Sequence, residues 1–148
     1  MSSRFSVRSA TEQDAEAVAV LSAELGYPAV PRIFRERLSR LLPRNNCLVA
    51  VAQIDNGRIC GWIQAITTDL LGSGFRVEIV AMVVAGTMRR RGIGRLLVQY
   101  AEDWAAGLGA EAIVVRSNVA REESHLFYPD LGYSKIKTQH VYRKRLAP

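Results

Sequence analysis

The chain has 148 residues, 49% of them hydrophobic, and its 20 Lys and Arg exceed its 14 Asp and Glu for a formal net charge of +6. That length and apolar content support one substantial core, so a single domain over 1-148 is expected, with no repeat, linker or low-complexity segment. No apolar run approaches bilayer-spanning length, and Arg4, Arg8, Glu12 and Asp14 interrupt any signal-peptide core, which points to a cytoplasmic protein with no membrane partner.

Phe5 to Arg8 alternates as a short strand does, and Thr11, Glu12 and Asp14 supply a cap and acidic first turn for a helix to about Leu25. Gly26 and Pro28 end that helix. Pro31 starts a second one, whose stripe of Ile33, Phe34, Leu38, Leu41 and Leu42 stops near Pro43. Cys47 to Ile54 and Arg58 to Thr68 flank the turn signal Asp55-Asn56-Gly57, which predicts a hairpin. After Gly72-Ser73-Gly74, Phe75 to Ala85 reads as a long strand, almost wholly apolar from Ile79 to Val84 and therefore central.

Leu96, Leu97, Tyr100, Ala101, Trp104 and Leu108 then fall at helical spacing, with Gly107 and Gly109 as the stop. Ala112 to Val115 reads as a short buried strand and Glu122 to Leu131 as a helix despite Pro129. Tyr133 to Lys137 and His140 to Arg145 have the pattern of two final strands. This order predicts an α+β fold.

Cys47 and Cys60 stand apart from His or acid clusters, as do His125 and His140, so no metal site is expected. The positive charge favours an anionic partner, and the position of the arginines narrows the choice. Arg89-Arg90-Arg91-Gly92-Ile93-Gly94-Arg95 joins the central strand to a helix. There glycines let backbone N–H groups approach an anion, the helix N-terminus adds partial positive charge, and arginines can grip a pyrophosphate. The competing reading is a plain turn with solvated arginines. The Walker lysine and the dinucleotide fingerprint are both absent.

This segment resembles the acetyl-coenzyme A pyrophosphate loop of the GCN5-related N-acetyltransferase (GNAT) family, Arg/Gln-x-x-Gly-x-Gly/Ala, with Arg89, Gly92 and Gly94 at its defined positions. Met82-Val83-Val84 precedes it as the family's cofactor-facing strand does. His125-Leu126-Phe127-Tyr128 with Leu131-Gly132-Tyr133 resembles the C-terminal motif. The resemblance implies a mixed, mostly antiparallel central sheet flanked by helices on both faces, with central strands splayed to admit the pantetheine arm. It also implies that Met82 and Val84 backbone groups bind that arm and that N–H groups from Arg90 through Arg95 hold the pyrophosphate.

Tyr128 falls where many family members place a tyrosine near the cofactor sulfur, and a phenolic O–H can protonate the departing thiolate. A core aromatic beside Phe127 and Leu131 is the competing reading, and the two are compatible. Glu78 matches the strand position of the glutamate base in the histone-acetylating branch of the family. A carboxylate there could take the amine proton directly or through water, or it could be a solvated or ion-paired acid near Arg76. Asn118 follows the short strand and could contact the pantetheine, although Arg121 occupies the place where many members carry that asparagine. Ser124 could reach the cofactor or simply cap its helix. His125, alone beside aromatics, reads as structural.

The resulting expectation is direct transfer of an acetyl group from acetyl-CoA to an amine of a small molecule or protein, without an acetyl-cysteine, since neither cysteine accompanies a His and acid. Two alternatives are a catalytically silent CoA-binding sensor and a basic nucleic-acid-binding module built on Arg89 to Arg91 and the Lys135, Lys137, Arg143, Lys144 and Arg145 tail. The second lacks any groove-reading motif, so nucleic acid is not the expected partner. Family resemblance puts acceptor choice in the Gly26 to Pro31 loop, the second helix, the Asp69 to Gly74 turn and the Thr138-Gln139 turn. A homodimer is in keeping with such families.

Overall fold

A computed structural model describes residues 4–26, 28, 30–117 and 122–147, with the backbone alone described over 122–124. The chain forms two compact units, Met1–Arg116 and Ser117–Pro148. The first holds strands β1 (Phe5–Ser9), β2 (Cys47–Ile54), β3 (Ile59–Leu70), β4 (Gly74–Val84) and β5 (Ile113–Val115), with helices α1 (Ala15–Ala23), α2 (Pro31–Leu41) and α3 (Ile93–Gly107). The second holds α4 (Glu122–Asp130).

The sheet runs β1-β2-β3-β4-β5, antiparallel up to β4 and parallel between β4 and β5. The β2–β3 hairpin closes on the expected turn. Gly57 takes the left-handed φ of 85°, and the Asn56 side chain accepts the Arg58 N–H at 2.9 Å. The expected first helix divides into a short 3₁₀ turn (Glu12–Asp14) and α1. Asp14 accepts the Thr11 N–H at 2.8 Å and both guanidinium nitrogens of Arg8 at 2.8 and 2.9 Å, which ties the end of β1 to the helix start. Burial alone would raise the Asp14 pKa, but the Arg8 hydrogen bonds, the Thr11 N–H and the Arg8 charge outweigh it and lower it.

Alternation along the strands assigns the two sheet faces. Val49 and Val51 pack with Val18 and Leu38, with Trp62 against them, and Val83 packs with Leu21, so α1 and α2 cover this face. On the other face α3 buries Ile93, Leu97, Val98, Ala101 and Ala105, each removal of a large aliphatic side chain from water contributing roughly 1.5–3 kcal/mol. Gly61 lets α3 sit close: a Cβ there would meet the Val83 carbonyl oxygen at 3.0 Å and the Leu97 side chain at 3.1 Å. Helices therefore flank a mixed sheet on both faces, as expected.

The two C-terminal strands expected from alternation do not form: residues 133–147 carry no strand. Ile136, Val141, Tyr142 and Leu146 are exposed there instead. Alternation marks a segment able to be a strand, while a ladder also needs a partner edge, and none pairs with it among the described residues.

Candidate active site

Three features of the first unit converge at the β4–β5 junction. The first is a bulge. Gln64 pairs with Ala81 and the next residue, Ala65, with Ile79, so Val80 is extra on β4. The second is a fork. β5 pairs with β4 only from Val77↔Ile113 to Ile79↔Val115, while β4 runs on to Val84.

Hydrogen bonds fix which backbone groups line that fork. Ala85 N–H donates to the Cys60 carbonyl on β3 at 2.8 Å. By alternation Val83 and Ala81 also face β3, which turns the N–H and C=O of Met82 and Val84 the other way, towards the side where β5 has already ended. An amide-bearing chain entering this opening would find strand-like partners. The pantetheine arm has that chemistry.

The third feature is the loop that follows. A 3₁₀ turn (Gly86–Met88) leads to Gly92, the α3 N-cap, at φ 85° and ψ 7°. Arg90 also has a positive φ, 65°, the single such non-glycine among the described residues. A left-handed side-chain-bearing residue costs roughly 1–2 kcal/mol and turns successive N–H groups inward as an anion-binding concavity. The first turn of α3 contains no acid and no side chain caps it, leaving its N–H groups for a ligand. A Cβ on Gly92 would meet nothing within 4 Å, so the glycine serves backbone conformation rather than packing. Arg89, Arg90, Arg91 and Arg95 are exposed around it, Ile93 is buried and anchors the helix, and Gly94 lies in the first turn. These residues fit a pyrophosphate.

Glu78 stands at the base of the fork, opposite Val114 of β5 and Ile66 of β3. Its register puts it on the α1/α2 face. Its side chain is 16% exposed, and Oε1 lies 3.2 Å from Nε of Arg116, the residue that follows β5. The ion-pair partner is thus Arg116, whereas proximity in sequence pointed to Arg76. Arg116 went unnoticed in the sequence because only the parallel register brings position 116 beside position 78.

Tyr128 belongs to the second unit. Its half-buried ring makes edge contacts with Phe127 and Tyr133 at centroid distances of 4.9 and 5.7 Å, and its carbonyl accepts N–H groups of Leu131 and Tyr133. Gly132, at φ 94°, makes the return that brings Tyr133 back. Asn118, Arg121 and the Ser124 side chain lie outside the described residues.

Cys60 is buried and burial pushes its thiol pKa up, in spite of the opposing backbone hydrogen bond and the Arg58 charge, so it is poorly suited to act as a nucleophile. No cluster of three or more His, Cys, Asp or Glu occurs among the described residues. No helix among them is long and apolar enough to cross a membrane.

The chain matches the acetyltransferase (GNAT) family over residues 12–133. It is 31% identical over 135 residues to the aminoalkylphosphonate N-acetyltransferase of Salmonella typhimurium, covering 87% of this chain and 84% of that one. Its fold superposes on an aminoglycoside N-acetyltransferase solved in complex with CoA, at a TM-score of 0.86, 18% identity and coverage of 98% and 97% of the two chains. It also superposes on glucosamine-6-phosphate N-acetyltransferase from Arabidopsis thaliana, at a TM-score of 0.81, 19% identity and coverage of 95% and 98%. These matches establish that the chain belongs to the acetyltransferase (GNAT) family and is an acetyl-CoA-dependent N-acetyltransferase.

Proposed function

We propose that the chain works as one domain over 1-148 that acetylates the primary amine of a small molecule, with Glu78 and Tyr128 moving the protons. The single observation that carries this reading is the position of Glu78 at the base of the β4–β5 fork. The name of the Salmonella relative, an N-acetyltransferase of aminoalkylphosphonates, supports a small acceptor over a protein lysine.

Acetyl-CoA supplies an activated acetyl thioester. The outward backbone groups of Met82 and Val84 would bind its pantetheine arm, with Val83 anchoring the strand in the core. The N–H groups of Arg90 through Arg95, including those of Gly92, Ile93 and Gly94, would bind the pyrophosphate, with Arg89, Arg90, Arg91 and Arg95 adding charge. Asn118 and Ser124 are further proposed contacts, carried by the family resemblance.

An ammonium has no lone pair to attack with, so the acceptor nitrogen must first lose a proton. Glu78 takes it, and Arg116 holds the carboxylate in position. The nitrogen then forms the C–N bond as the C–S bond breaks, and Tyr128 gives its phenolic proton to the departing sulfur. The second proton that the nitrogen sheds as the amide forms returns Tyr128 to its neutral state, while Glu78 releases the first to solvent. Neither cysteine accompanies a His and acid in the sequence, which supports direct transfer over an acetyl-enzyme.

The test is free-thiol release from acetyl-CoA by the full chain across a panel of small amines and lysine peptides. Release that depends on a small amine and yields its N-acetyl product is the expected result. Release with lysine peptides alone would overturn the choice of acceptor.

A further inference from the structure

We infer that Arg76, seconded by Arg116, forms an oxyanion subsite beside Glu78, so that the acceptor carries a phosphonate, phosphate or carboxylate a few bonds from its amine. This rests on the reading of Glu78 as the group that takes the acceptor's proton.

Arg76 and Glu78 are alternate residues of β4, ahead of the bulge, and project from the same face of the sheet. Thr68 of β3 lies opposite Arg76, and its hydroxyl is a further donor on that face. Arg116 reaches the same face and pairs with Glu78 at 3.2 Å. Two guanidinium groups therefore accompany one catalytic carboxylate, and the Arg116 pairing leaves the Arg76 charge uncompensated by Glu78. Arg76 Nε is buried and has no hydrogen-bond partner, although a buried charged donor is nearly always bonded. Glu111 approaches this face near Gly74, where a Cβ would meet its carboxylate at 2.8 Å, yet it forms no ion pair with Arg76 among the described residues.

An oxyanion on the acceptor would satisfy the Arg76 donor with a charge-assisted bond. It would also orient the amine. With its anion at Arg76, a short aminoalkyl chain runs along the strand towards Glu78 and the fork beyond Ile79, where the thioester is expected. A neutral alkylamine would lack that anchor, and a bulky cationic amine would meet like charge.

The experiment measures thiol release by the full chain with acetyl-CoA and four probes: 2-aminoethylphosphonate, 2-aminoethyl phosphate, β-alanine and propylamine. At least one anionic amine should exceed propylamine in kcat/KM by about 10- to 100-fold, and the three anions distinguish phosphonate, phosphate and carboxylate as the preferred group. Arg76→Gln should erase that preference through KM while leaving acetyl-CoA affinity and propylamine turnover intact, and Arg76→Lys should restore part of it. In the wild-type chain, ethylphosphonate should inhibit propylamine acetylation in competition with the amine rather than with acetyl-CoA. This measurement decides the matter if Arg76 variants fold poorly.

Equal use of propylamine and the anionic amines, or a preference that survives Arg76→Gln, would overturn the inference and leave the N-acetyltransferase reading standing. Absence of thiol release with every amine would overturn both.

Discussion

The two halves of β4 offer different chemical groups along one strand. From Gly74 to Ile79 the strand is paired on one side with β3 and from Val77 on the other with β5, and it presents side chains, Arg76 and Glu78, to one face. From Ala81 to Val84 it keeps β3 but has lost β5, and what it offers at the open edge is backbone. The Val80 bulge separates the halves. The first half is therefore sensitive to side-chain identity and the second to the availability of N–H and C=O groups.

The sharpest way to separate the halves is Glu78→Gln. It should lower kcat about 10²- to 10⁴-fold with acetyl-CoA affinity unchanged, and the loss should shrink at alkaline pH, where more of the amine is already neutral. Steady-state rates over a pH series, with calorimetry for the cofactor, check both parts. A matching loss of cofactor affinity would mean that the first half also holds the coenzyme.

Gly61→Ala probes the sheet beneath the second half. Its Cβ would press on the Val83 carbonyl oxygen at 3.0 Å and on Leu97 and Ile93 of α3, so denaturant unfolding should show a loss of about 1–3 kcal/mol. Weaker acetyl-CoA binding should accompany it.

Asp14→Asn is the control away from β4. It removes a carboxylate that bonds Arg8 and the Thr11 N–H, and should cost about 1–2 kcal/mol at neutral pH with acetyl-CoA affinity unchanged. Because the Asp14 pKa is lowered on folding, its contribution is complete above the unfolded value of about 3.9 and is lost as pH falls through the folded value. The stability gap between wild type and variant should therefore narrow in acid.

The smallest effect expected is at Met82. Met82→Pro deletes an N–H that faces the open edge and should weaken acetyl-CoA binding about tenfold, whereas Met82→Leu keeps the N–H and should leave affinity nearly unchanged. Equal effects from the two would remove the backbone account of the second half.

Much of this was readable along the chain, where local chemistry decides the outcome. The Asn56-Gly57 turn, the Pro31 helix start and the apolar Ile79 to Val84 run each carry their own signal, and the corresponding elements form within a few residues of expectation. The junction from β4 through Gly92 into α3 was legible for the same reason, since glycine placement and a strand-to-helix transition are local facts.

What escaped the sequence depends on register. Nothing in Val114-Val115-Arg116 announces that pairing with β4 stops there, or that Arg116 meets Glu78, because both follow from where a parallel strand lands. The Val80 bulge is hidden in an apolar run whose composition does not change across it. The His140 to Arg145 alternation misled in the opposite direction, since pattern supplies the propensity for a strand and a partner edge supplies the hydrogen bonds.

The measurement that tests the account most directly is calorimetric titration of the full chain with acetyl-CoA, beside an Arg91→Glu/Gly92→Asp variant. The loop places N–H groups and arginines where these substitutions put negative charge and a strained left-handed residue. Saturable binding by the wild type, weakened about 100-fold or more in a variant that still folds, is the predicted result. Equal affinity in both would contradict the assignment of the Arg89 to Arg95 loop as the pyrophosphate site.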